Sequence, residues 1–166
     1  MNNNLLIIGA GQYGLLVREL ATALDIFHKI DFLDDSKEMA VGKIEEYESF
    51  AEEYSYAFSA IGNTELRMQW VEKLEKAGFT VPVLISPMAY VSPSAKLGVG
   101  TVVEPMAVVH ANTEIGKACI ISAHSTVNHN SVCGDGCHID CGAVIGSNST
   151  VPQGTKVKYG EVFKDN

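Results

Sequence analysis

The residues best suited to moving protons or holding metals are clustered in this 166-residue chain. All four cysteines lie between 119 and 141, and four of the five histidines lie between 110 and 138. Imidazole exchanges a proton near neutral pH, so His129 and His138 are candidates for general acid–base work. Cys133, Cys137 and Cys141 interleave with them and read on paper as a metal cluster. Their spacing is not the C-x-x-C of a metal site, and reduced structural thiols are the better reading. A second chemistry is written near the start. Gly9-Ala10-Gly11-Gln12-Tyr13-Gly14 follows the apolar run Leu5–Ile8, and Asp34 stands twenty residues beyond Gly14. That is the dinucleotide fingerprint, in which a glycine turn brings backbone N–H groups close to a diphosphate. NAD binding is one reading of it, and a tight turn without a ligand is another.

Two stretches of different grammar must position these residues. Residues 1–86 alternate short apolar runs with amphipathic ones. Strands are expected at Leu5–Ile8, Phe27–Leu33, Tyr56–Ile61 and Phe79–Ile85. Helices are expected over 15–24, near 44–54 and from Asn63-Thr64 to about Ala77, where Gly78 stops the last one. This alternation predicts a small α/β domain with a Rossmann-like parallel sheet.

Residues 87–157 follow a six-residue period. From Val91 the positions are Val91, Leu97, Val103, Val109, Ile115, Ile121, Val127, Cys133, Ile139, Ile145, Val151 and Val157, all aliphatic except one cysteine. The fourth residue after each of the first eleven, from Ala95 and Thr101 to Ser149 and Thr155, is always small. Two interlocked constraints at one period predict an all-β solenoid in which each short strand turns one large and one small side chain inward. Residues 158–166 are left as a tail. The phase makes Cys133 and Cys137 inward core residues. It puts His129 at an outer edge and turns His138, just before inward Ile139, outward.

The hexads resemble those of the left-handed parallel β-helix acyltransferases. The stretch from Val127 to Ile139 resembles the catalytic stretch of one branch, the bacterial PglD/NeuD-like sugar acetyltransferases with an N-terminal nucleotide-sugar domain. Ile8–Gly14, Phe32-Leu33-Asp34-Asp35, Ala60-Ile61-Gly62-Asn63, Arg67 and Leu84-Ile85-Ser86-Pro87 follow the same branch in order. The resemblance implies a left-handed parallel β-helix of three hexads per coil and a homotrimer. It implies acetyl transfer from acetyl-CoA, without a metal, to the amine or hydroxyl of a nucleotide sugar (a UDP-4-amino sugar or a sialic-acid type). His129 would be the general base. Stacking of 129 under 147 would put it beside the Gly146-Ser147 main chain, whose N–H would receive the oxyanion. His138 would touch acetyl-CoA near its thioester. Gly11, Gln12 and Tyr13 would take part of the nucleotide sugar, Asp34 and Asp35 its base or ribose, and Gly62 and Asn63 would close the pocket. The acidic residue that follows the first histidine in that branch is Asn130 here. An amide orients an imidazole but lends it no charge, so a weaker base is expected.

Composition sets the outer bounds. The formal net charge of -8 gives no attraction for phosphate backbones or anionic lipid, so nucleic-acid and membrane partners are not expected. Met1–Asn4 carries no basic charge and Leu5–Ile8 is too short for a signal core, so a cytoplasmic protein is expected. The alternatives to an acetyltransferase are a non-catalytic nucleotide-sugar-binding module that regulates or scaffolds a partner, and an NAD-binding protein.

Overall fold

A computed structural model describes residues 2–165. They form two compact units, one up to Pro82 and one from Val83.

In the first unit, β1 (Asn4–Ile8), β2 (Lys29–Leu33) and β3 (Tyr56–Ser59) form a parallel sheet in the order β2-β1-β3. Leu5, Leu6, Ile7 and Ile8 are all fully buried. That is why the central strand is apolar on both faces, as a sheet covered on both sides requires. Helices α1 (Gln12–Ala23) and α2 (Thr64–Lys76) follow β1 and β3. The turn into α1 depends on Gly14, whose missing Cβ makes room for the Gly9 carbonyl oxygen. The helix expected near 44–54 is a short 3-10 helix over Ile44–Phe50 with no buried residue. The strand expected over Phe79–Ile85 does not form as one element. Thr80 makes a single bridge to Tyr56, and Leu84–Ile85 pairs instead with Val102–Val103 in the second unit.

The second unit is a parallel β-solenoid of two-residue strands arranged on three faces, about four turns in all. The first face carries Leu84–Ile85, Val102–Val103, Ile120–Ile121, His138–Ile139 and Lys156–Val157. The second carries Tyr90–Val91, Val108–Val109, Thr126–Val127, Val144–Ile145 and Val162–Phe163. The third carries Lys96–Leu97, Glu114–Ile115, Val132–Cys133 and Thr150–Val151. The hexad therefore runs one step further at each end than 91–157, to Ile85 and Phe163, and both pack against the core.

The inward positions behave as their size and polarity dictate. The aliphatic residues from Val103 to Val157 are at most 4% exposed. Two of the small polar ones satisfy carbonyls of the next coil: Thr101 Oγ1 donates to Gly116 O at 2.8 Å and Ser131 Oγ to Gly146 O at 2.8 Å. Cys119 and Cys137 do the same through sulfur, to Gly134 O at 3.2 Å and Pro152 O at 3.1 Å. These thiols are structural donors. The hydrogen bond shared with Cys137, together with burial, pushes the Cys119 thiol up. Burial pushes Cys133 up to about 12. Neither is a thiolate at neutral pH, so neither is a nucleophile or ready metal ligand.

Each corner holds a residue in the left-handed region, six apart from Gly100 to Gly160, with φ between 54° and 70°. A different constraint acts at Gly116, where a Cβ would lie 2.6 Å from the Asp135 main-chain nitrogen. At Gly146 the nearest atom is Lys164 Cγ, 3.0 Å away on a flexible side chain. Gly116→Ala is therefore expected to cost about 1–3 kcal/mol, the usual range for overpacking, and Gly146→Ala much less. Thermal unfolding of the two variants checks this.

Candidate active site

The corner between the second and third faces carries His129. It is exposed, as is Asn130, which takes the left-handed corner position with φ 59°. Asparagine tolerates that conformation better than most residues, because its short polar side chain can bond locally. Here it bonds to the imidazole: Asn130 Nδ2 lies 3.0 Å from His129 Nδ1. Nε2 is the ring nitrogen directed away from this contact.

The same corner one coil on is Gly146-Ser147-Asn148. The Gly146 N–H donates to Phe163 O at 2.8 Å, and the Asn148 N–H donates to His129 O at 3.2 Å. The Ser147 N–H between them meets no acceptor among the described residues. Three of the equivalent groups on the other corners are capped by carboxylates. Glu104 Oε2 accepts from Ala123 N at 2.9 Å, Asp140 Oδ1 from Cys141 N at 3.0 Å, and Asp135 Oδ1 from Lys117 N at 2.7 Å. The His129 corner thus combines an imidazole with an uncapped main-chain donor.

His138 stands elsewhere. It lies on the first face, half-buried, with Nε2 3.2 Å from Ser122 Oγ and 3.7 Å from Asp140 Oδ1. The hydroxyl and the carboxylate face the same ring nitrogen, so this is not a nucleophilic triad, which needs them on opposite nitrogens. Asp140 is 2% exposed and lies 3.1 Å from Lys156 Nζ. Burial works against its charge, but Lys156, the Cys141 N–H and His138 outweigh it and hold the carboxyl below its ordinary range. Burial pushes Glu104 up, offset in part by the Ala123 N–H. Within one chain the first face is opposite the corner of His129, so a single chain does not bring the two histidines together. Ser122, Asp140 and Lys156 were not singled out from the sequence. Their signal is phase: 122 and 140 each follow an inward isoleucine and lie one coil apart.

In the first unit the expected ligand residues are largely engaged with their own chain. Asp34 Oδ2 accepts from Ala10 N at 2.8 Å, and Oδ1 from Ser36 N at 2.9 Å and Ser36 Oγ at 3.0 Å. Burial opposes the Asp34 charge, but these bonds and Lys37 outweigh it and lower its pKa. Asp34 therefore straps the glycine turn to the end of β2, an engagement at odds with the acid–ribose bond of a dinucleotide site. Asp35 Oδ1 accepts from Ile44 N at 3.1 Å. Asn63 caps α2, its side chain accepting from Leu66 N at 3.0 Å. Gly62 O and Ile61 O accept from the fully buried Arg67, at 2.9 and 3.1 Å. Gly11, Gln12 and Gly62 are exposed, and Tyr13 is half-buried. Among the described residues no group of three His, Cys, Asp or Glu side chains is placed to hold a metal ion, and no helix is long and apolar enough to cross a membrane.

Residues 4–74 match the family model described as the PglD N-terminal domain. The whole chain is similar to the acetyltransferase domain of PglB from Neisseria gonorrhoeae FA1090, at 34% identity and a TM-score of 0.85, over 98% of this chain and 86% of that one. The chain belongs to the hexapeptide-repeat sugar acetyltransferases. The same PglB domain in complex with acetyl coenzyme A matches at 33% identity and a TM-score of 0.85, over 99% of this chain and 86% of that one. A histidine-to-asparagine variant of perosamine N-acetyltransferase from Caulobacter crescentus, in complex with CoA and GDP-perosamine, matches at 25% identity and a TM-score of 0.66, over 96% and 90%. For a member of this family, the Asp34 strap is a property of the fold that pH should reveal. Its folded pKa is lowered, so its stabilisation is full above about pH 4, the ordinary aspartate value, and is lost as pH falls through the lowered one. Asp34→Asn is expected to lower the melting temperature by a few degrees at pH 7 and by less at pH 3.

Proposed function

We propose that this chain transfers the acetyl group of acetyl-CoA to the amine, or the hydroxyl, of a nucleotide-linked sugar, with His129 as general base. The observation that carries the reading is the His129 corner, where an exposed imidazole oriented by Asn130 lies one coil from the uncapped Ser147 N–H. Nε2 of His129 takes the proton as the acceptor nitrogen attacks the thioester carbonyl. The new C–N bond pushes the carbonyl electron pair onto oxygen, where the Ser147 N–H stabilises it. Collapse breaks the C–S bond, and the leaving CoA thiolate takes the proton from His129. The relatives in complex with acetyl-CoA and with CoA and GDP-perosamine support the two substrate classes.

His138 would contact acetyl-CoA near its thioester. Because His129 and His138 lie on opposite sides of one solenoid, a shared site needs His138 from a second copy, which is the reason to propose a homotrimer. The exposed main chain of Gly11, Gln12 and Gly62 would meet the nucleotide. Asp34, Asp35 and Asn63 would shape that surface through the bonds they already make, and Tyr13 would line it. Gly146 would let the CoA arm approach the Ser147 N–H. The working place would be the cytoplasm.

Release of CoA thiol from acetyl-CoA, with a panel of UDP- and GDP-linked amino sugars and activated sialic acids, tests the reading. His129→Ala is expected to lower turnover by about 10²–10⁴, the usual worth of a general base, with the oligomer unchanged. Undiminished turnover in that variant removes His129 from the reaction. Asn130→Asp places a carboxylate against the imidazole and is expected to move the acidic limb of the pH–rate profile upward by about one unit, within the usual range for an adjacent opposite charge.

A further inference from the structure

The left-handed corner position that holds Asn130 recurs 18 residues away on the same edge. Asn112, Asn130 and Asn148 occupy it with φ of 56°, 59° and 58°. Their main chains are fixed by the coil: the Asn130 N–H donates to Ala111 O at 3.0 Å and the Asn148 N–H to His129 O at 3.2 Å. The Asn112 N–H donates to Ser94 Oγ at 3.0 Å. With the backbones pinned, the side chains of two successive corners meet. Asn112 Nδ2 and Asn130 Oδ1 are 3.2 Å apart, and the other end of the Asn130 amide is 3.0 Å from His129 Nδ1.

We infer that Asn112 is a positioning residue: acting through Asn130, it selects which ring nitrogen of His129 carries the proton. The inference rests on the reading of His129 as a base. An amide donates at one end and accepts at the other. Two amides joined end to end must therefore run in one direction, because turning one alone sets two N–H₂ groups or two oxygens face to face. In one direction Asn130 Nδ2 donates to Nδ1, so a neutral ring carries its proton on Nε2 and has no lone pair there. In the other direction Asn130 Oδ1 accepts from Nδ1–H, and Nε2 is left with the lone pair that a base needs. The same heavy-atom positions serve both directions. The group at the far end of the chain of amides, position 112, decides between them. A carboxylate neighbour, which only accepts from Nδ1–H, would fix the tautomer outright; with Asn130 in that place the choice passes one coil down.

Two substitutions of the exposed Asn112 push the chain of amides in opposite directions. In Asn112→Asp the carboxylate only accepts, so Asn130 must turn Nδ2 toward it and Oδ1 toward His129. In Asn112→Lys the ammonium only donates, takes Asn130 Oδ1, and turns Nδ2 toward the ring. The readout is the ¹⁵N chemical shifts of the His129 ring in the full chain, at a pH where the ring is neutral, assigned by their loss in His129→Ala. The expected result is a larger Nδ1–H population in the aspartate variant and a larger Nε2–H population in the lysine variant. Turnover is expected at or above wild type in the first and about tenfold lower in the second, the size of one lost hydrogen-bond preference. Ring shifts that are the same in both variants overturn the inference, and either variant's shift compared with wild type suffices should the other fail to fold. Ring shifts that move while turnover does not would leave the tautomer assignment standing and remove the base role from His129.

Discussion

The structure of the second unit depends on one repeated hydrogen bond, from a main-chain N–H to the carbonyl seventeen residues on. Leu84 donates to Thr101, Val102 to Cys119, Ile120 to Cys137 and His138 to Thr155, and the other two faces repeat the pattern. That bond fixes a coil of 18 residues and a parallel register. Residues 18 apart are then stacked neighbours at the strand spacing of about 4.8 Å. Every feature of the candidate site is a column in that lattice. His129 lies between Ala111 and Ser147, Asn130 between Asn112 and Asn148, and His138 between Ile120 and Lys156.

A lattice this regular makes its exceptions informative. Turning a corner with six residues per side leaves an outward main-chain N–H, and an unpartnered N–H is costly when buried. At Ala123, Cys141 and Lys117 that demand is met by Glu104, Asp140 and Asp135. The corner of His129 leaves Ser147 uncapped and sets an imidazole beside it. These three carboxylates are thus caps, and the corner of His129 is where an imidazole meets an uncapped N–H. In the first unit the same division holds. Asp34, Asp35 and Asn63 fit a ligand motif in sequence, yet each spends its oxygens on main-chain N–H groups that shape the turns.

The hexad was legible because two side-chain sizes recur at one period. That reading placed the inward core from Val91 to Val157, turned Cys133 and Cys137 into core residues, and put His129 at an edge. Its two further steps were harder to see. Ile85 falls in an apolar run that also suits a strand of the alternating half, and beyond Val157 the small fourth residue is replaced by Glu161. The helix expected near 44–54 is only a 3-10 helix because none of Ile44–Phe50 is buried, which leaves no packed face to hold an α-helix; the buried Tyr54 lies beyond it. Asn112 could not be found by motif. It joins His129 only once the coil length brings residues 18 apart into contact. The separation of His129 from His138 was hidden for the same reason, since nine residues is half a coil and carries a side chain to the opposite side.

In the proposed reaction, one transfer site draws His129 from one copy and His138 from the next. Mixing the two singly impaired chains, His129→Ala and His138→Ala, after dissociation and reassembly tests this most directly. In a closed ring of copies assembled at random from equal amounts, about a quarter of sites carry both histidines, so the mixture should regain roughly that share of wild-type CoA release. A mixture no more active than the mean of the two variants alone would contradict the account and return both histidines to separate roles.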